Sequence, residues 1–425
     1  MLKFIKSRFA AVVLCCSFVI SLLAGCSDRA RLNPLDPKNP NTQGRPTGLN
    51  VISMRDTVQL QWDRLEVNDL SGFQIYRQLQ GESRFSAIAQ TPPGVFSYRD
   101  VPAKFDTARS YRISALAPNF ESPLTDAVTI TPGPTFSWVA DGRNGDLIKL
   151  THDGGHEILR SSAFFNPFRL QIDAQRGYVW VLEEFRGSDL GRLDMNGRNA
   201  RRFDRIDGPA DLAVDNSDGS VWVADTLTNG LMKFNSDGAR VMNNEAYKKI
   251  VALAVHPQTR DVWALSRDSL RVFIFSQTGA LRRRANVSLQ RPRDIDIDSR
   301  TGKVWIADGT RVIRLDADGN LEALASPSFR FVYRLSADEV TGGCWLIDYS
   351  SAVGGSLIVK LAPDGAPSFS APGFDIPESL AANPHDGSCL VADFGNNRLV
   401  RVSADGQSRE AYNRVSFPVE VDTTL

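Results

Sequence analysis

The chain has 425 residues, 42% of them hydrophobic and 23% charged, with 49 basic and 49 acidic side chains. This is globular composition with length for more than one core, and the even charge argues against nucleic acid, whose binding needs a concentrated basic surface. The one basic run, Arg282, Arg283 and Arg284, reads as a solvated strand.

At the N-terminus, Lys3, Lys6 and Arg8 precede an apolar stretch over residues 9–24, long enough for a secretory signal core but short for a membrane span. The stretch ends in Leu23, Ala24, Gly25 and Cys26. This resembles the lipobox of bacterial lipoproteins, and the resemblance implies a signal peptide over residues 1–25 and lipidation at Cys26. Several acyl chains on one residue give a stable membrane anchor. Ser27, where inner-membrane retention in such proteins calls for Asp, implies the outer membrane of a two-membrane envelope. Loss of the signal peptide subtracts three from 49 and leaves 46 basic against 49 acidic residues.

Residues 26–45 carry Pro34, Pro37, Pro40 and several asparagines without apolar periodicity, which predicts a tether. Extended at about 3.1 Å per residue, it spans roughly 60 Å. The run Asn33-Pro34-Leu35-Asp36-Pro37 resembles the stalks of other bacterial lipoproteins.

Over residues 46–132 the pattern becomes one of short alternating strands. Val58, Leu60 and Trp62 share one, Phe73, Ile75 and Tyr76 the next, and Tyr111, Ile113 and Ala115 a late one. This stretch resembles a fibronectin type III domain, with Trp62 at the family's strand B tryptophan and Tyr111 at its tyrosine corner. The resemblance implies a small sandwich serving as spacer. The family's Arg-Gly-Asp loop is absent here, so an adhesion role does not carry over.

Residues 133–425 are repetitive. Trp138, Trp180, Trp222, Trp263, Trp305, Trp345 and Leu390 recur at spacings of 42, 42, 41, 42, 40 and 45 residues, the period of a four-stranded propeller blade. In the third repeat, strands are predicted over residues 212–215, 221–224 and 231–234, with turns at Asp218-Gly219 and Asp237-Gly238. The run Val391-Ala392-Asp393-Phe394-Gly395-Asn396-Asn397-Arg398 resembles the NHL repeat, while Ser266 in the fourth repeat departs from it. The first repeat lacks a first strand and the C-terminus, from Phe417 to Asp422, reads as a first strand without a repeat. The expected fold is therefore all-β: an immunoglobulin-like (fibronectin type III) sandwich followed by a seven-bladed β-propeller closed by the C-terminal strand.

Strand direction then groups the candidate residues. Arg169, Asp211, Asp294, Arg334, Ser379 and Glu420 begin the innermost strands, with Ala252 the apolar exception, and Phe168, Arg293, Tyr333 and Glu378 immediately precede four of them. Together they predict a mixed-charge, aromatic mouth on one face as the ligand site. Asp141, Glu183, Asp225, Asp308, Asp348 and Asp393 end the second strands; they read first as loop caps, with a cation-binding ring as the alternative. The repeated tryptophans read as packing between blades. Cys344 and Cys389 read as buried thiols too far apart for a disulfide.

The four histidines, His152, His156, His256 and His385, fall in turns on the opposite face and give no converging set, so no catalytic residue, metal or cofactor is assigned. The expectation is a monomeric, lipid-anchored envelope protein that binds another envelope protein, a peptide or a glycan. The NHL resemblance supplies the alternative, a propeller lyase or hydrolase related to streptogramin lyases, with Asp211, Asp294 or Glu420 as base at the mouth.

Overall fold

The computed structural model describes residues 32–184, 189–227, 230–247, 249–325 and 329–424; Cys26 and the signal segment lie outside the described residues. The described chain is all β apart from a 3-10 turn at Phe394–Asn396. Two compact units divide it: one up to Val51 with Gln59–Asp100 and Ala108–Thr129, the other Ile52–Val58, Val101–Thr107 and Ile130–Leu425.

The predicted extended tether is corrected over residues 33–45, which fold into consecutive turns. The asparagines that suggested a linker build those turns. Asn33 Oδ1 accepts the Leu35 N–H at 2.9 Å, Asn39 Oδ1 the Asn41 N–H at 2.9 Å, and Thr42 Oγ1 donates to the Pro34 carbonyl. Short polar side chains that bond their own backbone two residues on favour turns over extension. Leu35 and Asn39 are buried as a result.

Strands Asn50–Met54, Thr57–Gln61 and Ser97–Asp100 form one sheet, and Ser86–Thr91, Gly72–Leu79, Arg109–Ala117, Phe120–Glu121 and Val128–Ile130 a second. In the first unit, Phe73 meets Trp62 and Phe96 edge to face at 5.3 and 5.7 Å, forming an aromatic core. Beside it, the Tyr111 hydroxyl donates to Asp100 at 2.6 Å, and Arg77 and Arg109 donate to the same carboxylate at 2.8 and 3.1 Å. Burial pushes Asp100 upward, but bonds from Arg77 and Tyr111 outweigh it and hold the carboxyl below its ordinary range.

From Phe136 onward the chain forms seven four-stranded antiparallel sheets. Six use consecutive strands, such as Pro209–Asp215, Ser220–Asp225, Gly230–Phe234 and Arg240–Asn244. Gly219, at φ 74°, makes the tight turn between the first two of these, its N–H bonding the Asp215 carbonyl at 2.7 Å. The remaining sheet, counted here as the first, joins Phe136–Asp141, Asp146–Leu150 and Glu157–Ser161 to Pro418–Thr424 from the far end of the chain. Thr424 lies opposite Phe136, Val421 opposite Val139 and Pro418 opposite Asp141.

The innermost strands are Pro418–Thr424, Pro167–Asp173, Pro209–Asp215, Ile250–Val255, Pro292–Ile297, Val332–Asp338 and Pro377–Ala382. Each lies beside the next, and the last lies beside the first, so the sheets form a circuit. Apolar clusters fill the junctions. Trp180 packs on Leu212, Val214, Val221 and Val223 of the following sheet, and Trp305 packs on Leu335, Ala337 and Leu346. Leu390 does the same where the seventh sheet meets Val139, Ile148 and Val421 of the first. All six tryptophans are at most 1% exposed. Burying an indole of roughly 200 Å² at about 25 cal/mol per Å² stabilises the ring by about 5 kcal/mol each. Cys344 and Cys389 are fully buried free thiols in such clusters.

A second device joins the sheets. A cation on one sheet reaches the third-to-fourth-strand turn of the next: Lys149 to the Met195 carbonyl at 3.1 Å, Lys233 to Gln277 at 2.9 Å, Arg283 to Ala317 at 2.8 Å and Lys360 to Ala404 at 3.0 Å. Arg192 and Arg314 reach Ser236 and Pro363 in the same way. At the junction of the seventh sheet with the first, Arg401 turns instead to Asp386 of its own sheet.

Candidate functional site: the axial channel

An innermost strand has one edge paired to its own sheet and one edge toward the ring axis, where its N–H groups need acceptors. Side chains of the preceding sheet supply them. Asp211 Oδ2 accepts the Leu253 N–H at 2.8 Å, Asp294 Oδ2 the Leu335 N–H at 2.9 Å, and Ser379 Oγ the Val421 N–H at 3.4 Å. Two residues further along, Gln171, Asp296, Ser336 and Asp422 repeat the bond to Val214, Ala337, Ala382 and Ile172 at 2.6, 2.8, 3.1 and 2.8 Å. After Ala254 and Ala381, which carry no acceptor, Asp296 and Asp422 take the Ile297 and Thr423 N–H groups themselves, both at 2.8 Å.

The predicted residues Arg169, Asp211, Asp294, Arg334, Ser379 and Glu420 thus line one channel about the axis. Arg169 donates to Glu420 at 3.0 Å and lies 3.8 Å from Asp211, Arg334 lies 3.5 Å from Asp294, and Ser379 donates to Glu420. Burial pushes Asp211 up to about 7, against the pull of Arg169. It raises Asp422 to about 7 and Asp296 to about 6 even though both accept backbone N–H groups. Asp294 and Glu420 move the same way, for burial again dominates.

The other four predicted residues have a different geometry. Each innermost strand carries one extra residue after its first paired position, as between Pro167 and Arg169, Pro292 and Asp294, and Pro377 and Ser379. Phe168, Arg293, Tyr333 and Glu378 fall in these bulges, which re-aim side chains away from the regular alternation. Arg169 lies 5.2 Å over Phe168, Arg334 lies 5.3 Å over Tyr333, and Arg293 lies 4.8 Å over Phe331. The Tyr333 hydroxyl donates to Glu378 at 2.9 Å. The result is a rim in which aromatic faces hold guanidinium groups.

Sequence reasoning missed the second tier, Gln171, Asp296, Ser336 and Asp422, although a step of two from Arg169, Asp294, Arg334 and Glu420 reaches each. These residues border a cavity of about 540 Å³ that runs on to Asn216, Pro257, Ser299, Glu339 and Pro384 in the turns after the innermost strands. The channel section beside the predicted residues is narrower, about 140 Å³. That lies below the roughly 300–1,000 Å³ of pockets that enclose a drug-sized ligand.

The acidic residues ending the second strands act as caps, though of the loop that enters the sheet rather than, as the sequence suggested, of the loop that follows, with Asp225 the exception. Asp308 accepts the Gln290 and Arg291 N–H groups at 2.8 and 2.6 Å, Asp348 those of Arg330 and Phe331 at 2.8 and 3.0 Å, and Asp393 that of Asp375 at 2.8 Å. Each holds the loop entering its own sheet. Asp141 caps Ser416 at 2.9 Å, Glu183 caps Phe165, and Asp225 caps Leu227 at 2.8 Å.

The histidine expectation is corrected in one respect. None of the four borders the channel beside the predicted residues, but His152 and His385 do converge, with ring centroids 5.6 Å apart. They are 233 positions apart in the chain, and only the meeting of the seventh and first sheets brings them together.

No family model and no curated protein matches the chain. Among solved structures, a functionally unknown protein from Desulfotomaculum acetoxidans is similar with a TM-score of 0.55 at 11% identity, over 67% of this chain and 98% of that one. A streptogramin B lyase has a TM-score of 0.48 at 14% identity, over 60% and 86% of the two chains. The hydrazine synthase of Kuenenia stuttgartiensis has a TM-score of 0.49 at 10% identity, over 56% and 77%. At such identities the likeness bears on fold alone, and the fold it supports is a β-propeller.

Proposed function

We propose that this chain is a lipid-anchored envelope protein whose seven-bladed, NHL-like propeller, completed by the C-terminal strand, binds a protein, peptide or glycan at the axial rim. Cys26 is the anchor, the outer membrane its site, and the fibronectin type III-like unit a spacer. The supporting observation is the rim itself: the bulged residues Phe168, Arg293, Tyr333 and Glu378 surround a channel whose inward groups are already bonded to one another and to the strands. Such a surface is pre-organised, so little ordering entropy opposes a partner. The narrow channel favours a ligand that lies across the rim and inserts one group. A lyase acting at this mouth would have to work with Asp211, Asp294 or Glu420, because the histidines lie elsewhere.

A photo-crosslinking residue placed at Phe168, Arg293 or Glu378 in intact cells tests the reading. One partner recovered from all three positions, and not from Val241 on an outer strand, is the expected result. Equal recovery from Val241 sinks it.

A further inference from the structure

We propose that His152, His385, Asp106 and Asp386 bind one divalent first-row transition ion, zinc ahead of the others, at the junction of the seventh and first sheets. His152 lies in the turn after Asp146–Leu150, His385 and Asp386 lie between Pro377–Ala382 and Cys389–Asp393, and Asp106 belongs to the Val101–Thr107 segment of the same unit. Asp106 is fixed there by its N–H bond to the Pro132 carbonyl at 2.9 Å.

Ligand atoms of Asp106, His152 and Asp386 lie within 4.8 Å of one another. His152 Nε2 is 3.3 Å from Asp106 Oδ1 and 3.9 Å from Asp386 Oδ2, and His385 Nε2 is 3.0 Å from Asp106 Oδ2. Around a tetrahedral zinc with bonds of roughly 2.0–2.1 Å, neighbouring ligand atoms sit about 3.3 Å apart. Asp106, His152 and Asp386 therefore need only small movements to share an ion, and His385, bonded to Asp106, has to move further to join them as the fourth ligand.

An independent observation points to the same place. The His152 side chain is 1% exposed, yet its Nε2 makes no hydrogen bond while facing two carboxylates. Its other nitrogen is held by Thr135 Oγ1, which accepts from Asn383 Nδ2 at 3.0 Å. That bond fixes the ring and aims Nε2 into the cluster, as an outer partner of a metal-bound histidine does. Gly133 lies so close against the imidazole that any Cβ there would collide with it. Asp386 is oriented in turn by the Ser388 N–H and hydroxyl, at 2.9 and 2.6 Å.

Two features select the ion. Paired imidazoles favour zinc-like metals over calcium or magnesium. The Arg401 guanidinium on Asp386 removes part of the negative charge on which a hard cation depends. Here the carbonyl-seeking cation of the other junctions is replaced, and a bound ion would pin the turns of the seventh and first sheets in its stead.

The test uses the full chain without a polyhistidine tag, stripped with chelator and titrated with zinc chloride at pH 7.5, with bound metal counted by mass spectrometry after gel filtration. One zinc per chain is expected, and cobalt should give the visible bands of a tetrahedral site. Because His152 is buried, the less buried partners carry the variants: Asp106→Asn and His385→Gln should each weaken zinc binding on the order of 100-fold, with His156→Gln unchanged. A folded chain that takes up no stoichiometric zinc or cobalt overturns the proposal. So does undiminished affinity in both variants.

Discussion

Asp422→Asn should stabilise the propeller by about 4 kcal/mol at pH 8 but by only about 1.5 kcal/mol at pH 5. Asp422 sits on the axis, its Oδ2 accepting from Ile172 and its Oδ1 from Thr423, and burial lifts it from 3.8 to about 7. A raised carboxyl holds its proton in the folded state after the unfolded chain has released it. Stability from this group is therefore fully present below pH 4 and is lost as pH rises through 7. A shift of about three units corresponds to about 4 kcal/mol, of which the interval from pH 5 to 8 contains about 2–3 kcal/mol. Asparagine resembles the protonated acid, with one carbonyl acceptor and no charge, so the variant lacks this loss. Tryptophan fluorescence is the suitable probe, because six of the seven tryptophans lie in the ring of sheets. The difference in Tm between variant and parent should grow by roughly 5–10 °C from pH 5 to pH 8 for a unit of this size. Comparing the two proteins at each pH removes the opposite trend from His152 and His256, whose burial favours the neutral ring and costs stability in acid. A difference that stays constant with pH, or shrinks, refutes the reasoning.

Other expectations are simpler to read. Removing residues 417–425 takes the innermost strand from the first sheet, bares the edge of Phe136–Asp141 and leaves the Ile172 N–H without Asp422; dye binding should rise and the cooperative transition vanish, and an unchanged Tm would mean that this strand does not complete the ring. Tyr111→Phe withdraws one of the donors to the buried Asp100 carboxylate and should cost about 1.5–3 kcal/mol in urea unfolding; a cost under about 0.5 kcal/mol would show that Arg77 and Arg109 suffice.

The strands were legible because their signals are local. Asp-Gly turns and two-residue alternation each act within about ten residues, the tryptophan period marks where each repeat begins, and the strands of the third repeat fall where those signals put them. The pairing of Pro418–Thr424 with Phe136–Asp141 could be foreseen from counting, since one repeat lacked a strand and one strand lacked a repeat. What escaped the sequence depends on the ring as a whole. Lys149, Lys233 and Lys360 look like ordinary alternate residues, and only the next sheet's turn gives them carbonyls to reach. The pairing of His152 with His385 is hidden for the same reason. The misread tether has a different cause: asparagine signals a linker by composition and a turn by position, and at Asn33 and Asn39 position prevailed.

The extra residue in every innermost strand separates two kinds of information. At the seven bulges stand Phe168, Ala210, Val251, Arg293, Tyr333, Glu378 and Val419: two aromatics, an acid, a base and three small or aliphatic side chains. None of these positions is counted in the pairing register, so exchanging one need not shift the strand that carries it. The pairing register does not read these seven positions, but Phe168, Ala210, Val251, Tyr333 and Val419 also pack on the apolar clusters between sheets. A lineage, or a designer, could rewrite Arg293 and Glu378 for a new partner most freely, and the other five only within what that packing accepts.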